Sequence, residues 1–221
     1  MSIDPKNLHL LFDTLRNTMY SNPIKSLVRE IISNCIDAKR ERNAKIQRIQ
    51  SLLNSGGCNE RWEKALRFSL SWLSDTEFCT VENTTYNLLD GGGEVISFQD
   101  YGIGISPDRM GTIYRKYFSS TKRKDNLQIG SFGLGAKSPW SYTDQFYIET
   151  CYNGMFYQYL AFIDESELGA IDLIIKSPTK ELNNTKVIVP LKYSSDTYDF
   201  NKAIKNQFKC YSNITVKNFS G

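Results

Sequence analysis

The spacing of apolar residues changes near Phe78, and that change constrains the fold more than any single motif. Upstream, "NLHLLFDTLRNTMY", "IKSLVREIISNCIDA" and "RWEKALRFSLSWL" repeat at helical intervals. Downstream, "FCTVENTTYNLL", "EVISFQD", "DQFYIETCY", "MFYQYLAFI", "AIDLIIK" and "TKVIVPL" read as half-buried strands, followed by a terminal helix near Tyr198 to Tyr211. Helices first and strands later imply an α+β fold. Its expected form is a two-layer sandwich, a mixed and mostly antiparallel sheet covered on one face by helices.

Local signals sharpen the order. Ser21 or Asn22 can cap a helix whose first turn takes Pro23, and that helix should run past Ala44 as a polar extension. "NSGGCNE" is a turn before a second amphipathic helix, with Trp62, Ala65, Leu66, Leu70 and Leu73 expected inward. "DGGG" should turn a hairpin that delivers Asp100 at a strand end, and Asn153-Gly154 should turn another. Ser106 and Pro107 open a short helix, the polar stretch from Ser119 to Ile129 reads as a loop, and "GLGAKSPWSY" should start a helix. No internal repeat or low-complexity linker interrupts the chain.

At 221 residues, 40% of them apolar and 23% charged, the chain can bury one large core. No apolar run approaches the roughly 20 residues of a membrane span, and the N-terminus lacks a signal-peptide layout. Five scattered cysteines, none spaced as CxxC, suit reduced thiols in a cytoplasm. A single histidine, His9, leaves acid–base work to carboxylates. The net charge of +3 does not by itself imply nucleic acid, but "RKYFSSTKRK" and "KRERNAKIQR" are rich in base. Their plain reading is a loop and a solvated helix face.

Glu30, Asn34 and Asp37 lie four and three residues apart, so a carboxylate, an amide and a second carboxylate share one helical edge. Such an edge can hold a magnesium ion and direct a water. Two glycine-rich segments follow, "DYGIG" (Asp100 to Gly104) and "GSFGLGAKS" (Gly130 to Ser138). The second nearly matches a P-loop, but Ala136 separates Gly135 from Lys137 and a basic loop stands where the P-loop strand should be. What survives is the capacity of glycine backbone to approach an anion closely. Each piece has a plain alternative: Asp100 can simply cap a turn, Glu30 and Asn34 can be surface groups, and Asp37 can pair with Lys39 or Arg40.

Taken together, the ordered set E-x-x-x-N-x-x-D-A, D-x-G-x-G, G-x-x-G-x-G and a threonine leading a late strand (Thr185) resembles the ATP-binding superfamily of gyrase, heat-shock chaperones, histidine kinases and MutL, the Bergerat fold. More narrowly, "IKSLVREIISNCIDA", "YFSSTK", "GSFGLGAKSPWSYTDQFYI" and "VIVPL" resemble the N-terminal region of bacteriophage rapid-lysis A (rIIA-like) proteins.

The resemblance implies one ATP-binding domain over residues 1–221 with a helical insertion at about 44–80, and ATP with Mg²⁺ as ligands. It implies Glu30 as general base, Asn34 as magnesium ligand, and Asp37 as a fastener of the helix or of adenine-bound waters. Asp100 would take the adenine amine, with Gly102, Gly104 and Ile105 as pocket wall and Thr185 completing the base site. Ser119 to Gly135 would form a lid, including Ser120, Gly130, Phe132, Gly133 and Leu134, with Lys122, Arg123 and Lys124 drawing in the triphosphate. Lys137 has no role in the broad pattern; near the lid it would meet a phosphate or lie exposed.

Members that turn ATP over efficiently borrow a lysine from a following domain, and this chain ends at Gly221. The expectation is therefore slow hydrolysis, with a protein partner, an adjoining domain or a nucleotide-dependent homodimer completing the site. A non-hydrolysing, nucleotide-gated binding protein is the alternative; nucleic acid is not an expected partner. The narrower resemblance implies a phage protein of the host cytoplasm, peripheral to the inner membrane at most.

Overall fold

The computed structural model describes residues 22–73, 79–88, 91–115, 135–165, 169–209 and 214–218. The helix expected over Asn7 to Tyr20 and the loop residues from Ser119 to Leu134 lie outside the described residues.

Helix α1 (Pro23–Asn54) starts as its sequence dictates, with the Asn22 side chain accepting the Lys25 N–H at 2.9 Å and Pro23 in the first turn. Leu27, Val28, Ile31, Ile32, Cys35 and Ile36 bury its first half, whereas only Arg42 and Ile49 are buried beyond Asp37. Helix α2 (Glu60–Ser71) is capped by Asn59 and buries no residue; Trp62 is 64% exposed. The expected inward row of Trp62, Ala65, Leu66 and Leu70 is thus not buried, and Leu73, just past the helix, is. Helix α2 rests on α1, and one helix covers only a narrow stripe of its neighbour.

The remaining elements are β1 (Cys79–Leu88), β2 (Gly91–Asp100), α3 (Pro107–Arg115), a 3-10 helix (Gly135–Ser141), β3 (Gln145–Tyr152), β4 (Met155–Ile163), β5 (Gly169–Pro178), β6 (Asn184–Pro190), α4 (Asp196–Phe208) and β7 (Ile214–Lys217). They form a seven-stranded sheet of order β5-β4-β3-β6-β2-β1-β7, antiparallel except where β7 runs parallel to β1. The architecture is α+β.

Three details depart from the sequence reading. Gly91, Gly92 and Gly93 belong to β2, opposite Leu88, Asn87 and Tyr86, rather than to a turn. The segment after the second glycine run is a seven-residue 3-10 helix, with Pro139 inside it unable to donate to an α-helical ladder. Strand β7 was not anticipated; four residues are too few to show a period.

Alternation sorts the strands into two faces. Ile96 and Phe98 of β2, Val81 of β1 and Val189 of β6 pack with α1 and with Phe200, Ala203 and Ile204 of α4. Phe146 and Ile148 of β3 and Tyr157, Tyr159 and Ala161 of β4 pack with Met110 of α3 and with Trp140. Val95, Tyr147 and Ile188 point the other way and form a small cluster with Tyr86 and Leu160. The helices therefore cover one face, and the strand ends that carry Asp100 and Thr185 lie on that same side.

Candidate functional site

One edge of α1 meets both glycine segments, because residues four apart on a helix lie nearly in line. A Cβ placed on Gly135 would stand 3.0 Å from Glu30 Oε2 and 3.4 Å from Asn34 Oδ1. One turn later, a Cβ on Gly102 would stand 2.8 Å from the Ala38 Cβ and 2.8 Å from Asp100 Oδ1. One turn further, Arg42 Nη1 donates to the Tyr101 carbonyl at 2.9 Å. From Glu30 to Arg42 the helix rises about 18 Å. Bare α-carbons at Gly135 and Gly102 are what allow the two segments to approach this edge so closely.

A second row crosses the end of the sheet. Cys79, Asp100, Thr185 and Thr150 are successive cross-strand neighbours on β1, β2, β6 and β3. They share the helix-covered face with Val81, Phe98, Val187 and Ile148, each two residues along its strand. Directly opposed side chains have Cβ atoms about 4.5–5.5 Å apart, so Asp100 and Thr185 can touch one small ligand group. Thr150 Oγ1 donates to the Asn184 carbonyl at 2.8 Å, accepts the Ile105 N–H at 2.9 Å and lies 3.4 Å from Thr185 Oγ1.

Between these rows runs the segment from Tyr101 to Ser106. Asp100 Oδ1 accepts the Gly102 N–H at 2.9 Å, so the turn-capping reading of Asp100 is realised alongside any other. Gly104 has φ of +70°, and a Cβ there would fall 2.3 Å from the Cys151 carbonyl oxygen, so only glycine fits. Ile105 packs against the cluster around Met110 and Trp140.

The charges are arranged unevenly. The Glu30 side chain is 25% exposed and pairs with Arg29 at 3.0 Å. Asp37 is buried and pairs with Arg40 at 3.5 Å. Arg109 of α3 grips Glu41 through two 3.0 Å bonds, tying α3 to α1. Lys137, only 7% exposed, has its ammonium pushed down to about 8 by burial. Burial likewise pushes the Cys151 thiol up to about 11, which keeps it protonated and unreactive.

Of the residues singled out from sequence, Glu30, Asn34 and Gly135 come together at one end of the α1 edge. Asp100, Gly102, Gly104, Ile105 and Thr185 come together at the other. Asp37 lies on α1 between these groups, and Lys137 follows Gly135 by two residues. Ser119, Ser120, Gly130, Phe132, Gly133 and Leu134, with Lys122, Arg123 and Lys124, lie outside the described residues.

One expectation is overturned. "KRERNAKIQR" is not wholly a solvated face, because Arg42 is 1% exposed and turned onto the Tyr101 loop. Extending the i, i+4 row from Glu30 and Asn34 would have reached it. Thr150 and Asn183 were also missed; Thr150 stands opposite Thr185 in the register of β3 and β6, the signal that could have found it, whereas Asn183 lies just ahead of β6 and left none.

Asn34 Oδ1 and Glu30 Oε2, both on the bare face of Gly135, are oxygen donors of the kind magnesium accepts while keeping several waters. Among the described residues no cluster of three or more His, Cys, Asp and Glu side chains could hold a metal ion, so a protein-only cage is not on offer there. No helix among them is long and apolar enough to cross a membrane. No model of a known protein family matches this chain.

Proposed function

We propose that this chain is a Mg-ATP-binding module of the Bergerat type. It hydrolyses ATP slowly, and closure of the glycine-rich lid over the phosphates alters its contacts with a partner protein, an adjoining domain or a second copy. One observation carries the reading. A single helix edge touches Gly135 through Glu30 and Asn34, and Gly102 through Ala38, while Asp100 and Thr185 stand opposite each other at the sheet end. This supports the reading by bringing carboxylate and amide near Gly135 at one end of the helix edge, and a carboxylate–hydroxyl pair near Gly102 at the other.

The chemistry follows from the donor and acceptor sets. Asp100 and Thr185 accept and donate hydrogen bonds to a base, and the bare Gly102 and Gly104 admit its ring. At the far end Asn34 offers its amide oxygen to magnesium, with Glu30 beside it. Magnesium, when bound, would neutralise charge on the triphosphate oxygens. Glu30, released from Arg29, orients a water and takes its proton, which requires it within about 2.6–3.2 Å of that water. Lys137, close in sequence to Gly135, adds positive charge for the phosphates. Phosphoryl transfer needs mainly such positioning and charge stabilisation.

The Glu30–Arg29 pair also favours a second reading, a module that binds ATP and switches on occupancy alone. The narrower resemblance leads us to infer a phage protein of the infected cytoplasm. The primary test is calorimetric titration of the chain with ATP and Mg²⁺. Asp100→Asn keeps an acceptor for the Gly102 N–H but presents an amide donor to the adenine amine. We expect binding by the wild type and a loss of at least about tenfold in the variant, since a buried donor would face a donor. Equal affinities would sink the assignment of the base site.

A further inference from the structure

The loop between β2 and α3 is held by side chains along its length. Tyr101 O, Gly102 N, Ile103 O and Ile105 N are each met at 2.9 Å, by Arg42, Asp100, Asn183 and Thr150 respectively. Asn183 differs from the others in using both ends of its amide and its own backbone. Its Nδ2 donates to the Ile103 carbonyl at 2.9 Å, and its Oδ1 accepts the Asn153 N–H at 2.8 Å. Its backbone N–H donates to the Trp72 carbonyl at 2.8 Å. The residue is 0% exposed.

We propose that Asn183 is a positioning residue for the base pocket, fixing the Gly102–Gly104 wall by tying Ile103 to the Asn153-Gly154 turn. The inference rests on the nucleotide reading above and adds to it a residue that the motif pattern does not contain. Only a side chain with a donor and an acceptor on one short rigid plane can join a carbonyl to an N–H in this way. Aspartate lacks the donor, and glutamine is one methylene too long. Both loop and turn are conformationally committed: Gly104, Asn153 and Gly154 have φ of +70°, +49° and +83°. The Gly104 α-carbon also packs on the Cys151 carbonyl with no room for a methyl group. Ile103 is therefore clamped between two tight points, and a lost bond there moves the wall rather than a floppy tip. Water cannot easily replace the lost partner at a fully buried site.

The test uses the whole chain as wild type, Asn183→Ala and the nearly isosteric Asn183→Asp, with ATP affinity measured by titration and amide exchange read by mass spectrometry. Aspartate keeps the acceptor for the Asn153 N–H but loses the Nδ2 donor that serves the Ile103 carbonyl at 2.9 Å and Asn153 Oδ1 at 3.4 Å, so it spares only the backbone bond to the turn. We expect ATP binding about tenfold weaker in both variants. In Asn183→Asp, faster exchange should be confined to residues 101–106, with α1 and α4 unchanged; in Asn183→Ala it should extend to the Asn153-Gly154 turn. Wild-type binding with unchanged affinity in both variants would overturn this role alone. Exchange rising equally across the helices and sheet in both would also overturn it, reducing Asn183 to a general stabiliser. Absence of ATP binding by the wild type would overturn the nucleotide reading and this role with it.

Discussion

The two ends of the α1 edge, its base end and its phosphate end on the reading proposed above, are built by different means. At the base end, side chains from α1, β2, β3 and the approach to β6 pin four backbone groups of one loop. At the phosphate end, a partly exposed carboxylate pairs with its chain neighbour Arg29, and a glycine begins a short 3-10 helix. A pinned loop has already lost its conformational freedom before any ligand arrives, so binding there carries little further entropic cost. A carboxylate held by an exposed arginine can change partner cheaply, because exposed pairs contribute only about 0–1 kcal/mol. On our reading the base end recognises and the phosphate end responds. Substitutions at the first should lower affinity and stability; loss of the Glu30 carboxylate at the second should lower turnover.

The largest expected effect tests the responsive end. Glu30→Ala should reduce ATP turnover by about a hundredfold or more, the scale of a general base, while the dissociation constant for ATP changes little. Single-turnover hydrolysis beside an equilibrium titration separates the two quantities. If wild-type turnover is already nil, the occupancy-switch reading replaces the hydrolytic one. If Glu30→Ala weakens binding as much as turnover, the division between the ends fails.

The two glycines that face α1 sharpen the same comparison. A methyl group at Gly102 would meet the Ala38 Cβ at 2.8 Å and the Ala38 carbonyl at 3.3 Å, atoms that move only with the helix. At Gly135 the nearest atom, 3.0 Å away, is the end of the Glu30 side chain. Gly102→Ala should therefore cost about 1–3 kcal/mol and lower Tm by roughly 3–10 °C. Gly135→Ala should leave Tm within about 1 °C, because the glutamate can swing aside, while displacing that same glutamate slows hydrolysis. Scanning calorimetry on both variants decides the matter; equal Tm losses would mean that the phosphate end is as rigid as the base end.

Much of this arrangement could be read from the chain because it is written in local periods. The α1 edge, the Asn22 cap with Pro23, the Asn153-Gly154 hairpin and the change from helix to strand all follow from neighbours within a few residues. What could not be read is what bridges long separations. Arg42 reaches a carbonyl 59 residues away, Thr150 an N–H 45 away and Asn183 a carbonyl 80 away. The helical period puts Arg42 on the right edge, but the distant backbone partner of each such bond obeys no period and becomes visible only in the folded chain. The exposure of Trp62 was illegible for a related reason: an amphipathic helix announces an apolar face, but not whether the rest of the fold offers a surface to cover it.

Lys137 gives the finest test, because its two roles pull in opposite directions. Burial sets its ammonium at about 8 in the folded chain, below the ordinary lysine value of 10.5. Between those values the unfolded chain holds a proton that the folded chain has released, so stability contributed at this position rises with pH across that window. Below it, the folded chain holds a charge that burial disfavours. Lys137→Met removes that charge: the ligand-free protein should melt higher at pH 7, and the part of its stability gain above pH 8 that this lysine supplies should disappear. The same variant should bind ATP about fivefold more weakly at pH 7, the scale of one lost hydrogen bond. Wild-type affinity should fall as pH rises through 8, since a neutral amine must first regain a proton to meet a phosphate. If the methionine variant loses that pH dependence while melting higher, charge at Lys137 serves the ligand at the expense of the fold. If affinity and its pH profile are unchanged, the lysine belongs to the core alone.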